Sequence, residues 1–197
     1  NGVGMNIAGG THHGFKDHGE AFCLLNDQAI AAHYLLDTQK ASKILIIDLD
    51  VHQGNGTAML FEDNPNVFTF SMHGAKNYPF KKQRSDLDIG LENDTQDALY
   101  LEILKNTLPK LVTKVKPDFI FYLSGVDILA SDKLGKLGCS LEGCMQRDRF
   151  VFESCKQANI PVQVSMGGGY SKDIDVILEA HKNTFKVAQE VFFNKIF

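Results

Sequence analysis

The apolar residues of the chain are grouped in a way that predicts alternating strands and helices. Short apolar runs rich in β-branched and aromatic residues are typical of strands buried on both faces of a parallel sheet. Such runs occupy residues 3–8, 43–49, 66–71, 118–123 and 161–166. Apolar residues at helical spacing predict helices at residues 22–38, 57–61, 140–158 and 174–192. This alternation predicts an α/β fold with a parallel β-sheet flanked by helices on both faces.

A polar segment at residues 73–92 interrupts this pattern. A loop of this length in a compact domain is usually functional or mobile, so we interpret it as a rim loop. The residues 93–95 (Asn-Asp-Thr) are suited to cap a further helix that runs to about Leu108. Pro109 then either kinks that helix or opens a new turn.

The composition predicts one globular domain, residues 1–197. Hydrophobic residues make up 44% of the chain and charged residues 22%. The net charge of −4 argues against direct nucleic-acid binding, and no apolar run has the ~20 residues needed to span a membrane. The 4 cysteines lack paired spacing and no signal peptide is evident, which together predict a cytoplasmic protein with reduced thiols. The chain begins with Asn1 rather than Met, so we expect the numbering to start inside a longer protein.

Residues suited to metal binding and proton transfer follow several of the predicted strands. They are the pair His12-His13, the segment 48–55, Asp127 and the pair Gly169-Tyr170. In an open α/β sheet, ligands bind at the carboxyl ends of the strands, and these ends lie along one edge. Each residue alone has an ordinary structural explanation, such as a turn, a cap or packing. Their joint occurrence at successive strand ends favours a functional site.

Three of these residues predict a metal site. Asp50 and His52 are two positions apart, so on an extended backbone they point to the same side. With Asp127 they offer oxygen and nitrogen ligands that suit zinc or a similar divalent ion and leave positions open for water and substrate. A histidine of the His12-His13 pair can move a proton, and the Tyr170 hydroxyl can stabilise an oxyanion. The set therefore predicts a hydrolase for an amide or similar acyl bond.

The same segments resemble the zinc-dependent histone deacetylase family, most closely its class IV branch and bacterial relatives. The matching motifs keep their order and spacing along essentially the whole chain. They are Gly-Gly-Thr-His-His at 9–13, Ala-Phe-Cys-Leu-Leu-Asn-Asp at 21–27, Ile-Asp-Leu-Asp-Val-His-Gln-Gly-Asn-Gly at 47–56, Ser-Gly-Val-Asp at 124–127 and Gly-Gly-Gly-Tyr at 167–170. The resemblance implies the arginase/deacetylase fold, with this chain forming the C-terminal two-thirds of a single deacetylase catalytic domain that lacks its N-terminal third.

The resemblance also implies the metal chemistry. The implied zinc ligands are Asp50, His52 and Asp127, and ferrous iron is the alternative metal. Family members bind a potassium ion near the zinc, several of its ligands being backbone carbonyls. The matching positions are Asp48, Asp50, His52, Ser71 and Met72.

For the reaction itself, the resemblance implies that His13 is the general base and that His12 is its electrostatic partner. Asp48 would hold His12, and Asn55 would hold His13. Tyr170 would bind and polarise the substrate carbonyl. The larger classes of the family carry Asp at the position of Asn55, and an amide stabilises an imidazolium less well than a carboxylate does. We therefore expect His13 to favour its neutral form more strongly here.

The resemblance further implies a narrow tunnel for the acyl-lysine side chain. Its wall is expected to contain Phe22, Ala21, Gly168 and Gly169. Ala21 replaces a glycine that is usual in the family, which would narrow the tunnel slightly. Tyr78 and Phe80 in the predicted rim loop are the candidates for the second aromatic wall.

The implied function is hydrolysis of an N-acyl amide, most simply deacetylation of N6-acetyl-lysine in proteins. An acetylpolyamine or another small acetylated amine is the alternative substrate, because the motifs define the reaction better than the leaving amine. An arginase-like enzyme with two manganese ions is disfavoured, since Ile128 and Leu129 follow Asp127 where a second Asp would be needed. A non-catalytic binding module with the same fold remains an alternative. The residues leave the acyl length and the oligomeric state open.

Overall fold

The structure is a computed structural model that describes residues 2–193. Within that range the strands form one sheet in the order β1-β6-β5-β2-β3-β4, with every pair parallel. The strands are β1 (Val3–Asn6), β2 (Ile44–Asp48), β3 (Val67–Gly74), β4 (Leu87–Leu91), β5 (Phe119–Ser124) and β6 (Val162–Met166). The helices are α1 (Asp27–Asp37), α2 (Asn55–Phe61), α3 (Asp97–Val115), α4 (Leu141–Gln157) and α5 (Ile174–Phe193).

Helices cover both faces of the sheet, as predicted. Successive residues of β2 point to opposite faces, so its continuous apolar run contributes to two separate cores. Leu45 and Ile47 pack in the core shared with α3, α4 and α5. Ile44 and Ile46 pack in the smaller core shared with α1 and α2. The prediction of a doubly covered parallel sheet is therefore confirmed.

The predicted rim loop at residues 73–92 is shorter than expected. Strand β3 extends to Gly74, and β4 at Leu87–Leu91 adds an edge strand that the sequence analysis missed. Only one face of β4 is covered, so it alternates between exposed and partly buried residues and has no continuous apolar run. The connection between the two strands is consequently residues 75–86.

Two helix boundaries also differ from the prediction. Helix α1 starts at Asp27 rather than residue 22, because the Asn26 side chain accepts a hydrogen bond from the Ala29 N–H and caps it there. Helix α3 continues through Pro109 to Val115. Buried leucines at positions 104, 108 and 111 keep the helical spacing across the proline, so packing against the sheet outweighs the lost hydrogen bond. Among residues 2–193, no helix is both long and apolar enough to cross a bilayer.

The topology places the ends of the central strands side by side. Strand β2 lies between β3 and β5, and Asp48 at its end is level with Ser71 and Leu123. The end of β5 is level with the end of β6, where Ser124 pairs with Met166. The segments that follow β2, β5 and β6 thus emerge at one edge of the sheet.

The double burial of β2 gives a stability prediction. We expect Ile46→Ala to lower the free energy of unfolding by about 2–5 kcal/mol, because Ile46 is 1% exposed and its removal leaves a cavity. Ile30→Ala on α1 is the matched control, since Ile30 is 55% exposed and its loss should change stability by only about 0.5 kcal/mol. Urea denaturation measures both. Equal losses in the two variants would contradict the assignment of β2 to the core.

Candidate metal and active site

Three buried side chains form a compact group at the carboxyl edge of the sheet. One ligand atom from each of Asp50, His52 and Asp127 lies within 4.8 Å of the others. His52 Nδ1 is 3.1 Å from Asp50 Oδ1 and 3.1 Å from Asp127 Oδ2. Asp50 and Asp127 are 1% and 0% exposed. The sequence predicted these three residues to converge, and the structure brings them together.

The backbone around the group fixes the two carboxylates. The Val51 N–H donates to Asp127 Oδ1 at 3.0 Å, and the Gly168 N–H donates to Asp50 Oδ2 at 2.8 Å. A Cβ atom at Gly168 would overlap the Asp127 carboxylate, and one at Gly167 would crowd Asp50. The glycines after β6 are therefore required for the close approach of backbone to carboxylate.

The electrostatics of this group favour a bound cation. Burial and the neighbouring Asp50 raise the pKa of Asp127 to about 7. Burial lowers the pKa of His52, but hydrogen bonds that its ring donates to both carboxylates raise it by more, to about 10. Two carboxylates held together away from water are costly unless a positive charge lies beside them. A divalent ion would supply that charge, and the donor set fits one.

The two adjacent histidines line the site in different charge states. His12 Nδ1 donates to Asp48 Oδ2 at 2.7 Å, and His13 Nδ1 lies 2.7 Å from Asn55 Oδ1. Burial lowers the pKa of His12, but Asp48 and Asp50 raise it by more, to about 9. Burial and the charge of His12 lower the pKa of His13 to about 3. His13 therefore favours its neutral form, as expected. The hydrogen bond to Asn55 acts in the opposite direction and raises the pKa of His13, but burial and the charge of His12 lower it by more.

A cavity of about 520 Å³ opens onto these residues. Its wall contains the metal-binding group, both histidines and Tyr170, whose ring centroid is 5.8 Å from that of Phe22. Ala21 and Gly168 line it as predicted, whereas Gly169 is not part of the wall and packs toward Val126 and Ile177 in the core. Gly167 lines the cavity in its place.

The second aromatic side of the cavity comes from the 75–86 connection. Tyr78 packs edge-on against His13, with ring centroids 5.2 Å apart, and Phe80 stands next to it at the mouth, 87% exposed. Both residues line the cavity. Opposite them, Ala21 has φ of 50°, a left-handed conformation that favours glycine. This conformation explains why a glycine suits the position.

One residue near His13 escaped the sequence analysis. Glu20 Oε1 accepts a hydrogen bond from Asn55 Nδ2 at 2.6 Å and another from the Tyr78 hydroxyl. Glu20 therefore connects the group that holds His13 to the aromatic side of the cavity. Nothing in the local sequence marks it, because its partners lie 35 and 58 positions away.

A second unpredicted feature lies behind the metal-binding group. Arg147 on α4 is fully buried, and its Nη1 donates to the carbonyls of Leu49 at 3.3 Å and Gly125 at 2.5 Å. Asp148 pairs with this guanidinium at 2.8 Å and accepts from Thr184 at 2.6 Å. The guanidinium braces the two backbone segments that carry Asp50 and Asp127. A charged pair on the apolar face of a predicted helix is the signal that could have revealed it.

Comparison with known proteins agrees with this fold. The histone deacetylase domain model matches residues 1–186. The chain is 48% identical over 191 residues to an uncharacterized protein of Picosynechococcus and 33% identical over 174 residues to histone deacetylase 2 of Arabidopsis thaliana. These alignments cover 97% and 87% of this chain. It also resembles the crystal structure of an acetylpolyamine aminohydrolase from Burkholderia pseudomallei, with a TM-score of 0.81, 20% identity and 96% of this chain covered.

The fold and the family match together define the class of protein. The chain belongs to the histone deacetylase family and has the fold of the arginase/deacetylase type. It spans 64% of the Picosynechococcus protein, 45% of the Arabidopsis protein and 57% of the Burkholderia structure.

The metal-binding group gives a direct prediction. We expect Asp127→Ala to lose stoichiometric binding of a divalent ion, because two protein ligands remain from a group of three. Asp63→Ala, at an exposed position beyond α2, is the matched control and should bind as the unmodified protein does. Elemental analysis after dialysis measures the content of each. Retention of one ion per chain in Asp127→Ala would refute the ligand assignment.

Proposed function

We propose that this chain carries the active site of a metal-dependent deacetylase that hydrolyses an N-acyl amide, with N6-acetyl-lysine in a protein as the preferred substrate. The observation that supports the proposal most is the convergence of three groups on one cavity. These groups are the Asp50-His52-Asp127 cluster, the neutral His13 and the hydroxyl-bearing Tyr170. Each alone is common in proteins, but amide hydrolysis uses all of them together.

In this proposal His13 moves the protons of the reaction. Its Nδ1 is engaged with Asn55, so its Nε2 is the nitrogen available to accept a proton from the attacking water. The water oxygen bonds to the acyl carbon, and the carbon–nitrogen bond then breaks. His13 delivers the proton to the departing amine, which leaves a free amine and a carboxylate. The neutral His13 is in the state required to accept the first proton.

Tyr170 acts on the other side of the acyl group. Burial, together with the nearby carboxylates, raises the pKa of Tyr170 above its ordinary value, so its hydroxyl remains a donor. A hydrogen bond from this hydroxyl to the carbonyl oxygen strengthens as negative charge develops on that oxygen. The Tyr170 N–H donates to Asp132 Oδ2 at 2.6 Å, which fixes the backbone of the residue.

Asp50, His52 and Asp127 would hold the ion, for which we propose zinc, with ferrous iron as the alternative. When bound, such an ion supplies Lewis acidity, which lowers the pKa of water and polarises a carbonyl. We also propose a potassium site behind it, formed by Asp48, Asp50, His52, Ser71 and Met72. The adjacency of β2 and β3 supports this, because Asp48 and Ser71 are level in the sheet.

The aromatic lining supports a slender, largely apolar acyl-amine substrate. Phe22, Tyr78 and Tyr170 surround the approach to the cluster, which suits the methylene chain of an acylated lysine. A small acetylated amine such as an acetylpolyamine fits the same description and remains the alternative substrate. We place the protein in the cytoplasm and propose no direct contact with nucleic acid or membrane.

The test is an assay of the zinc-loaded protein with a fluorogenic acetyl-lysine peptide, alongside acetylated polyamines. We expect peptide hydrolysis, and a loss of about 10²-fold or more in kcat/KM for Tyr170→Phe and for His13→Ala. The matched controls are Tyr34→Phe and His33→Ala on the outer surface of α1, which should retain activity.

The outcomes separate the alternatives. Hydrolysis of acetylpolyamines in preference to the peptide would replace the proposed substrate but keep the reaction. Absence of hydrolysis for every substrate, in protein shown to hold its ion, would contradict the enzyme and favour a binding module. Two manganese ions per chain would instead point to ureohydrolase chemistry, although residues 2–193 offer a single group of three donors.

A further inference from the structure

We infer that Glu20 is a positioning residue that sets the tautomer of His13 by orienting the Asn55 amide between them. This inference rests on the proposed function, in which His13 uses Nε2 as the base. Because residue 55 is an asparagine, contact with its side chain does not by itself determine which nitrogen of His13 carries the proton. A carboxylate next to His13 could only accept a hydrogen bond, whereas an amide can present either its oxygen or its NH2 group.

The contacts form a continuous chain from the carboxylate to the imidazole. Asn55 Nδ2 donates to Glu20 Oε1 at 2.6 Å, and Asn55 Oδ1 lies 2.7 Å from His13 Nδ1. Asn55 is 3% exposed and His13 is 6% exposed, so water does not compete freely for these contacts. The amide is thus bound at both ends.

The chemistry of Glu20 determines which end of the amide faces His13. An ionised carboxylate has no proton to donate, so the NH2 group of Asn55 must point to Glu20. The Asn55 oxygen then faces His13 and can only accept, so His13 Nδ1 must carry the proton. The lone pair of His13 is consequently on Nε2. Without Glu20 the amide could rotate, donate to Nδ1 and move the proton to Nε2, where it would block the base.

The surroundings keep Glu20 ionised and in place. Burial raises the pKa of Glu20, but hydrogen bonds from Tyr78 and Asn55 lower it by more. Its backbone is held by reciprocal hydrogen bonds with Cys23, each of 2.9 Å. On the other side of the carboxylate, His18 Nε2 lies 3.9 Å from Glu20 Oε2.

Glu20 also binds the Tyr78 hydroxyl, so a purely structural role in holding the 75–86 connection is the competing explanation. The two roles predict different behaviour of the His13 ring. A tautomer-setting role changes the protonation of Nδ1 and Nε2 when Glu20 is lost. A loop-holding role leaves the ring unchanged and is mimicked by Tyr78→Phe.

The experiment combines 15N NMR of the histidine rings with kinetics of the zinc-loaded protein. His13 signals are assigned by their loss in His13→Gln. We expect the Nδ1–H tautomer in the unmodified protein and in Tyr78→Phe, and a mixture of tautomers in Glu20→Ala. The kcat of Glu20→Ala should fall by about 10-fold with little change in KM, the size expected for one hydrogen bond involving a charged group. Glu102→Ala on the exposed face of α3 is the control.

A double variant provides the rescue. In Asn55→Asp alone, two carboxylates would face each other, and we expect a kcat below that of the unmodified protein. In Glu20→Gln/Asn55→Asp, the Gln amide can donate to the Asp, which accepts from His13 Nδ1. We therefore expect the Nδ1–H tautomer and a kcat within about 3-fold of the unmodified protein, since the hydrogen-bond pattern is restored.

The outcomes that overturn the inference are distinct from failure of the proposed function. An unchanged His13 tautomer in Glu20→Ala would overturn the inference, whatever the kcat. A kcat of Glu20→Gln/Asn55→Asp that stays as low as that of Asn55→Asp alone would also overturn it. If the unmodified protein hydrolyses no acyl-amide, the proposed function fails, but the NMR comparison still decides the role of Glu20.

Discussion

The structure depends on the burial of two carboxylates, Asp50 and Asp127, next to each other at the carboxyl edge of the sheet. Like charges in a nonpolar environment repel, and such a pair persists only where the surrounding structure compensates it. Here the compensation comes from backbone N–H groups, from the His52 ring between the carboxylates and, in our account, from a divalent ion. Much of the local sequence follows from this requirement, including the glycines after β6.

The need to hold these two carboxylates in place also explains the buried Arg147-Asp148 pair behind the metal-binding group. Arg147 is fully buried and is not among the residues that line the cavity, yet its guanidinium donates to the carbonyls of Leu49 and Gly125. Leu49 directly precedes Asp50, and Gly125 lies two positions before Asp127. A buried guanidinium needs its own partner, which Asp148 supplies. The metal-binding group is therefore supported from the core of the protein, whereas His13 is supported from the rim through Asn55 and Glu20.

The sequence was sufficient for the features that depend on local pattern. The apolar run of β2 and the two-residue spacing of Asp50 and His52 are local, and the alternation of strands and helices places Asp127 at the same edge. The sheet, its helices and the convergence of the ligands were predicted in this way. The exposed edge strand β4 was missed, because a strand with one covered face lacks a continuous apolar run.

Features that depend on long-range contacts could not be predicted. Glu20 belongs to a polar loop. Its role becomes visible only in the fold, where Asn55 and Tyr78, which are distant in sequence, donate hydrogen bonds to its carboxylate. The family resemblance placed Gly169 in the tunnel wall, but only the path of the backbone after β6 shows that it faces the core.

The central claim is that Asp50, His52 and Asp127 share one ion, and anomalous diffraction from crystals of the zinc-loaded protein tests it most directly. Our account predicts a single zinc peak between these three side chains, at about 2.0–2.2 Å from their ligand atoms. A zinc peak elsewhere, with these three side chains bound only to one another, would contradict it.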